Sequence, residues 1–227
     1  MRPEGGTASG ALVKAMVTGG RSGIGAALVE RLERDTIEVR VLDIVDGFDV
    51  ADPAAWESVD AVDLACLNAG VVTGTGDVAE LEEDQYRRIL GANVDGVVYG
   101  VRRMARVMEP GSAIVVTASL AGLTTIEIDP VYGGTKHFVV GFVRSVAPQL
   151  AERGITINAV CPGIVDTPIL GETRDRVVAA GIDMLQPAEV AEAIVTAARD
   201  GSTGQAWVCL PGRAPERHSF HRFFDSA

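Results

Sequence analysis

Tyr132 and Lys136 stand four residues apart in VYGGTK (131–136), just ahead of the apolar run HFVVGFV. On a helix that spacing puts the phenol and the ammonium on one face. A nearby ammonium favours phenolate and lowers the phenol pKa from its ordinary value of about 10. The pair is then a proton-transfer group usable near neutral pH. The same spacing also occurs on solvated helix edges, so the rest of the chain must decide between the two.

A second group of residues speaks to phosphate. TGGRSGIG (18–25) lies between an apolar run and a stretch of helical period. Gly19, Gly23 and Gly25 let the backbone turn tightly and approach a pyrophosphate, which the following helix N-terminus stabilises. Asp43 ends the next apolar run, 18 residues past Gly25. An acid about there would bind the ribose hydroxyls of an adenosine. Arg21 within the turn reads equally as a solvated loop residue or a phosphate contact.

These residues need a scaffold, and the pattern supplies one. Apolar runs at 11–17, 37–44, 62–68, 112–119, 154–161 and 204–210 read as strands. Helical periods fall at 24–34, 82–108, 133–152 and 187–199, the last opened by Pro187. DPAAWESV (52–59) reads as a short helix with Asp52 as N-cap and Pro53 at its first position. Strands alternating with helices indicate an α/β fold, a single parallel sheet with helices on both faces. Residues 1–10 are expected to be a flexible N-terminus, 11–212 one domain, and 213–227 a tail.

Whole-chain properties narrow the function. A length of 227 residues with 47% hydrophobic content suits one sizeable core. A formal charge of −11 and the lack of a basic-aromatic stripe argue against nucleic acid and anionic membrane. No run reads as a membrane span, and MRPEGGTASG has no apolar region like that of a signal peptide. Cys66, Cys161 and Cys209 sit in or beside apolar runs, which suggests reduced core thiols in a cytoplasmic protein. Their spacing fits no metal site. His218 and His221 have a spacing that binds metal on a helix, but no third ligand accompanies them. Apolar residues cover more than one face of the helices at 94–108 and 133–152, which points to a homodimer or homotetramer.

TGGRSGIG, NAG (68–70), Ser119, YGGTK and NAVCPGIVDTP (158–168) together resemble the short-chain dehydrogenase/reductase family, from about residue 12 to 211. The resemblance implies a doubly wound, Rossmann-type sheet with NAD across its carboxyl edge. It implies a catalytic set of Asn93, Ser119, Tyr132 and Lys136, with Asn93 holding a water in the proton relay. It implies cofactor contacts from Gly19, Arg21, Ser22, Gly23, Ile24 and Gly25 in the turn, and from Asp43 and Ile44 at the ribose. Asp49 and Val50 would meet the adenine, and Asn68, Ala69 and Gly70 would border the adenosine side. Tyr132 and Lys136 would face the nicotinamide ribose, and Pro162, Gly163, Val165 and Thr167 would hold the carboxamide. The implied reaction passes a hydride between NAD and a secondary alcohol or ketone.

The chain departs from the family in two places. Leu67 stands where the more usual NNAG has its first Asn, with little change expected since Asn68 keeps the second. The link after the second strand is also short. Only IVDGF separates Asp43 from Asp49, whereas a parallel crossover takes a dozen or more residues. The crossover helix after the second strand is therefore expected to be missing, with VDGF a candidate hairpin turn. That deletion puts the placement of Asp49 and Val50 in doubt. PILGETRDRVVAAGIDML (168–185) is the expected lid over the substrate. The other readings are an NAD-binding regulator or scaffold without turnover, and an epimerase or dehydratase using the same cofactor. The short lid disfavours an extended substrate of the last kind. Phe220, Phe223 and Phe224 are expected to dock the tail on its own domain or on a neighbouring subunit.

Overall fold

The computed structural model describes residues 12–221. Residues 1–11 and 222–227 lie outside the described residues, among them the expected flexible N-terminus and Phe223 and Phe224 of the tail. A seven-stranded sheet runs in the order β2-β1-β3-β4-β5-β6-β7. The strands are β1 Lys14–Thr18, β2 Glu38–Leu42, β3 Leu64–Leu67, β4 Ala113–Thr117, β5 Thr156–Pro162, β6 Ala206–Cys209 and β7 Glu216–Arg217. All pair in parallel except β7, which lies antiparallel to β6 with Trp207 opposite Arg217.

The helices follow from the strands' hydrophobicity. LACL in β3 and AIVVT in β4 are buried at every position, so both sheet faces must be covered. On one face Leu28 and Leu32 of α1 (Gly23–Arg34) meet Val190 and Ile194 of α6 (Pro187–Arg199), over Ala15 and Val17. On the other, Met16 lies under α3 (Gly96–Val107) and α4 (Pro130–Ala151), which bring in Val101, Met104, Val139 and Val143. The alternation along β1 between the two clusters is the period-two signature of a strand. Two shorter helices, α2 (Glu83–Leu90) and α5 (Thr173–Ala179), complete the set among the described residues.

The link from β2 to β3 contains no α-helix, only single 3-10 turns at Ile44–Asp46 and Ala55–Ser58. The expected short helix at 52–59 is thus corrected to a 3-10 turn. Asp52 Oδ1 accepts from Ala54 N in a local turn instead of capping a longer helix. VDGF forms no hairpin either: Gly47 closes the first 3-10 turn at φ 84°, and Phe48 N bonds back to Asp43 O. Trp56 fills the place of a longer crossover. It is buried, its Nε1 donates to Val50 O at 3.0 Å, and Phe48 packs edge-on against it at 5.3 Å.

The helix expected over 82–108 is interrupted by a π-turn at Gly91–Asp95 between α2 and α3. The helix expected from 133 starts earlier, with Asp129 as N-cap and Pro130 in its first turn. From the tail, β7 extends the sheet edge, and Phe220 packs against the core with the Arg144 guanidinium 3.6 Å from its ring centre.

Candidate active site

The carboxyl ends of β1, β3, β4 and β5 open into a cleft of about 760 Å³. Its floor holds Ser119, Tyr132 and Lys136, and one wall is made by Gly19, Ser22, Gly23 and Ile24 of the glycine turn. Asn68, Ala69 and Gly70 join that wall from the end of β3, and Pro162, Gly163, Val165 and Thr167 close the other side. Arg21, Gly25, Asp43, Ile44, Asp49, Val50 and Asn93 lie outside the cleft lining.

The glycine turn is a tight cradle. A Cβ on Gly25 would overlap the Gly19 carbonyl, and one on Gly23 would come within 3.1 Å of Thr167. Only bare backbone fits, leaving the α1 N-terminus accessible to an anion. Asp43 stands beside the cradle at the end of β2. It is buried, with Oδ2 accepting from Arg21 N at 2.9 Å and Oδ1 from Val45 N at 3.2 Å. The Arg21 guanidinium turns away to Asp46, at 2.7 Å. Val50 is buried against Thr18, Leu67, Ala92 and Val97, whereas Asp49 is exposed and accepts from Ala51 N. This donor set suits a dinucleotide: a bare-backbone phosphate cradle with a carboxylate beside it.

Local hydrogen bonds hold the floor. Lys136 is buried and donates to Thr117 O at 2.9 Å, with its nitrogen 5.6 Å from the Tyr132 ring centre. Ser119 Oγ accepts from Ala121 N at 3.1 Å, ahead of the 3-10 turn Leu120–Gly122. Asn93 projects from the π-turn, and its amide is engaged inside the protein. Its Oδ1 accepts from Val71 N, while its Nδ2 donates to Val71 O and Thr135 Oγ1. Thr135 in turn donates to Tyr132 O at 2.8 Å. The Asn93 side chain therefore ties the loop after β3 to α4 and does not reach into the cleft.

Residues 11–208 match the family model described as enoyl-(acyl carrier protein) reductase. The chain belongs to the short-chain dehydrogenase/reductase family. It is 31% identical to 3beta-hydroxysteroid dehydrogenase 2 of Eggerthella lenta, over 83% of this chain and 80% of that one. It is equally 31% identical to the cyclohexanol dehydrogenase of an Acinetobacter species, over 86% and 92%. The crystal structure of BdcA in complex with NADPH is similar at 27% identity and a TM-score of 0.74, covering 86% of this chain and 92% of that one. Family membership and these relatives make the protein an oxidoreductase.

One expectation about this site is corrected. The Tyr132 phenol is not lowered: burial pushes it up, and hydrogen bonding to Ser119 opposes that without cancelling it. Burial likewise brings Lys136 down to about 8. Both groups sit on the same desolvated floor, where burial disfavours the charged form of each.

Several residues of the site went unread in the sequence. Thr18 Oγ1 accepts from Asn68 N and Ala69 N, and Thr117 Oγ1 donates to Asn68 Oδ1, which locks the NAG segment. Thr117 also receives Lys136 through its carbonyl. Asp129 Oδ1 accepts from Tyr132 N, and its Oδ2 from Thr73 N and Gly74 N. For Asp129 a signal existed: Asp followed by Pro is a helix start. The threonines carry none, because strand-end threonines are ordinary.

Proposed function

We propose that the protein interconverts a secondary alcohol and a ketone by hydride transfer with NAD, using Tyr132 as the acid/base. The observation that carries this reading is the meeting of Ser119, Tyr132 and Lys136 on the floor of one cleft whose wall is the glycine cradle. The dinucleotide, when bound, accepts or supplies the hydride. For oxidation Tyr132 must stand as the phenolate, the form that the Lys136 ammonium and a bound nicotinamide cation would favour against its burial. It then takes the hydroxyl proton while Ser119 holds the same oxygen by a hydrogen bond. Lys136 keeps a positive charge near the phenol and would help hold the nicotinamide ribose. In reduction Tyr132 gives the proton to the oxygen.

BdcA's complex with NADPH supports a nicotinamide dinucleotide, and Asp43 bears on which form it is. Its carboxylate stands beside the cradle, suited to ribose hydroxyls and repulsive to a 2′-phosphate. Arg21, the neighbouring cation, is already paired with Asp46. These relations favour NAD. The relatives' names, a steroid and a cyclohexanol dehydrogenase, support a ring-borne hydroxyl as substrate.

The three cysteines are buried free thiols, which supports a reducing, cytoplasmic setting. Among the described residues no helix is long and apolar enough to cross a membrane. The test of the reading is direct: mix the protein with NAD and a panel of secondary alcohols, and follow the absorbance of reduced nicotinamide. Turnover of any alcohol supports it. Tight NAD binding with a flat trace across the panel would favour a regulator or scaffold instead.

A further inference from the structure

The outer cleft carries information about charge. Ile126, Ile128, Ile164, Ile169, Leu170 and Ile182 face into it from the loop before α4 and from the lid. Four of these remain substantially exposed at the mouth, up to 68% for Ile128, a grouping of bulky apolar side chains that a bound apolar molecule would cover. The charged side chains lining the same space are Glu127, Asp129, Asp183 and Lys136. Lys136 is buried at the floor and committed to Thr117 O, and Asp129 is consumed by three backbone N–H groups. Glu127 and Asp183 are exposed at the mouth. No arginine lines the cleft among the described residues, and Arg174, on the lid, is bound through Nε and Nη2 to the two oxygens of Asp166 at 2.6 and 2.8 Å.

We infer that the substrate is an uncharged, predominantly hydrocarbon ketone or alcohol, and that anionic substrates, including acyl groups carried on a phosphorylated thiol carrier, are rejected. The inference rests on the oxidoreductase reading above and deepens it. The physical reason is twofold. Isoleucine and leucine walls gain from each added methylene, about fourfold in binding when fully buried. An anion would meet two carboxylates at the mouth and, among the described residues lining the cleft, no free cation to offset its lost hydration. The lid is held for this task at its base, where Asp166 N donates to Leu185 O and Leu185 N to Ile164 O.

The test uses the full-length protein with excess NADH and 4-methyl-, 4-ethyl- and 4-propylcyclohexanone, beside 3-(4-oxocyclohexyl)propanoate and acetoacetyl-coenzyme A. The expected kcat/KM rises about two- to fourfold per methylene. The propanoate should fall at least tenfold below the propyl ketone, and the thioester lower still. The double change Glu127→Gln with Asp183→Asn should raise the propanoate's kcat/KM at least severalfold. Calorimetric binding of the same ketones to the NADH-loaded protein reads the ranking without turnover. Ranked binding with no turnover would overturn the oxidoreductase reading, and with it the claim about substrate, leaving only a cleft that prefers uncharged apolar ligands. Equal or better turnover or binding of either anion would overturn the inference.

Discussion

The backbone N–H of Tyr132 donates to Asp129 Oδ1 at 2.9 Å, so the cap of α4 holds the turn that carries the phenol. The second oxygen of the same buried carboxylate accepts from Thr73 N at 2.8 Å and Gly74 N at 3.2 Å, tying the loop after β3 to that turn. Replacing Asp129 by Ala removes a helix cap and orphans buried donors, at a cost of about 2–4 kcal/mol. Asp129→Asn keeps one acceptor but turns an amide against two N–H groups. Both variants are expected to melt earlier than the wild type and to lose tenfold or more in kcat, with little change in cofactor KM. Melting curves and steady-state rates check this. Unchanged kcat in Asp129→Ala would separate the clamp from the chemistry.

Lys136 makes a prediction about pH and stability. Burial lowers its pKa from 10.5 to about 8, so the unfolded chain binds the proton more tightly than the folded one between those values. Its penalty is therefore fully present below pH 8 and vanishes as pH rises to 10.5, a gap worth about 3 kcal/mol. Losing the bond to Thr117 O returns about 1 kcal/mol of that. Lys136→Met is thus expected to be inactive yet more stable than the wild type at pH 7, by about 1–2 kcal/mol. Denaturant titrations should find the advantage shrinking above pH 8. An equal or greater advantage at pH 10 would refute the assignment.

At the cofactor, Asp43 is expected to favour NAD over NADP by at least tenfold in kcat/KM, because a phosphate beside the carboxylate meets repulsion of ~1 kcal/mol or more per charge pair. Asp43→Ala should narrow the gap, mainly by weakening NAD. Initial rates with both dinucleotides decide it. Equal or better wild-type activity with NADP would remove Asp43 from the ribose.

Much of this scaffold was legible, and the misses are physical. The six long strands are apolar runs bounded by polar turns, and the missing crossover helix is a matter of counting residues between Asp43 and Asp49. Two Asp-Pro pairs teach the contrast. Asp52-Pro53 reads as a helix start but opens only a 3-10 turn, because Trp56 is pulled inward and Val59 is already extended. Asp129-Pro130 opens a 22-residue helix that the apolar pattern alone begins three residues late. The strand β7 has two exposed residues, Glu216 and Arg217, with no apolar alternation to announce it. The π-turn at Asn93 has no local signature, since it depends on Gly91 and Gly96 packing against Ala51 and Val50. The direction of the Tyr132 shift depends on burial, which spacing cannot supply.

The outward side of α4 predicts self-association. Phe138 is 40% exposed and stacks on Phe142 at 5.7 Å with the rings 9° apart, near the open Gly134 and Gly141. Such an aromatic pair on a flat helix face suits a second copy of the chain. Light scattering at micromolar concentration should give at least twice 23.8 kDa, and Phe138→Asp with Phe142→Asp should move it toward the monomer. A 23.8 kDa wild-type particle would refute the interface.

The central claim is that the Tyr132 hydroxyl exchanges the proton. Tyr132→Phe removes that oxygen and leaves the ring, the cradle and Asp43 in place. The deciding measurement is kcat of this variant on an alcohol the wild type oxidises, with NAD affinity titrated in parallel. General acid–base catalysis contributes ~10²–10⁴-fold, so kcat should fall at least a hundredfold while NAD binding stays within about twofold. A variant that keeps more than about a tenth of wild-type kcat would contradict the account.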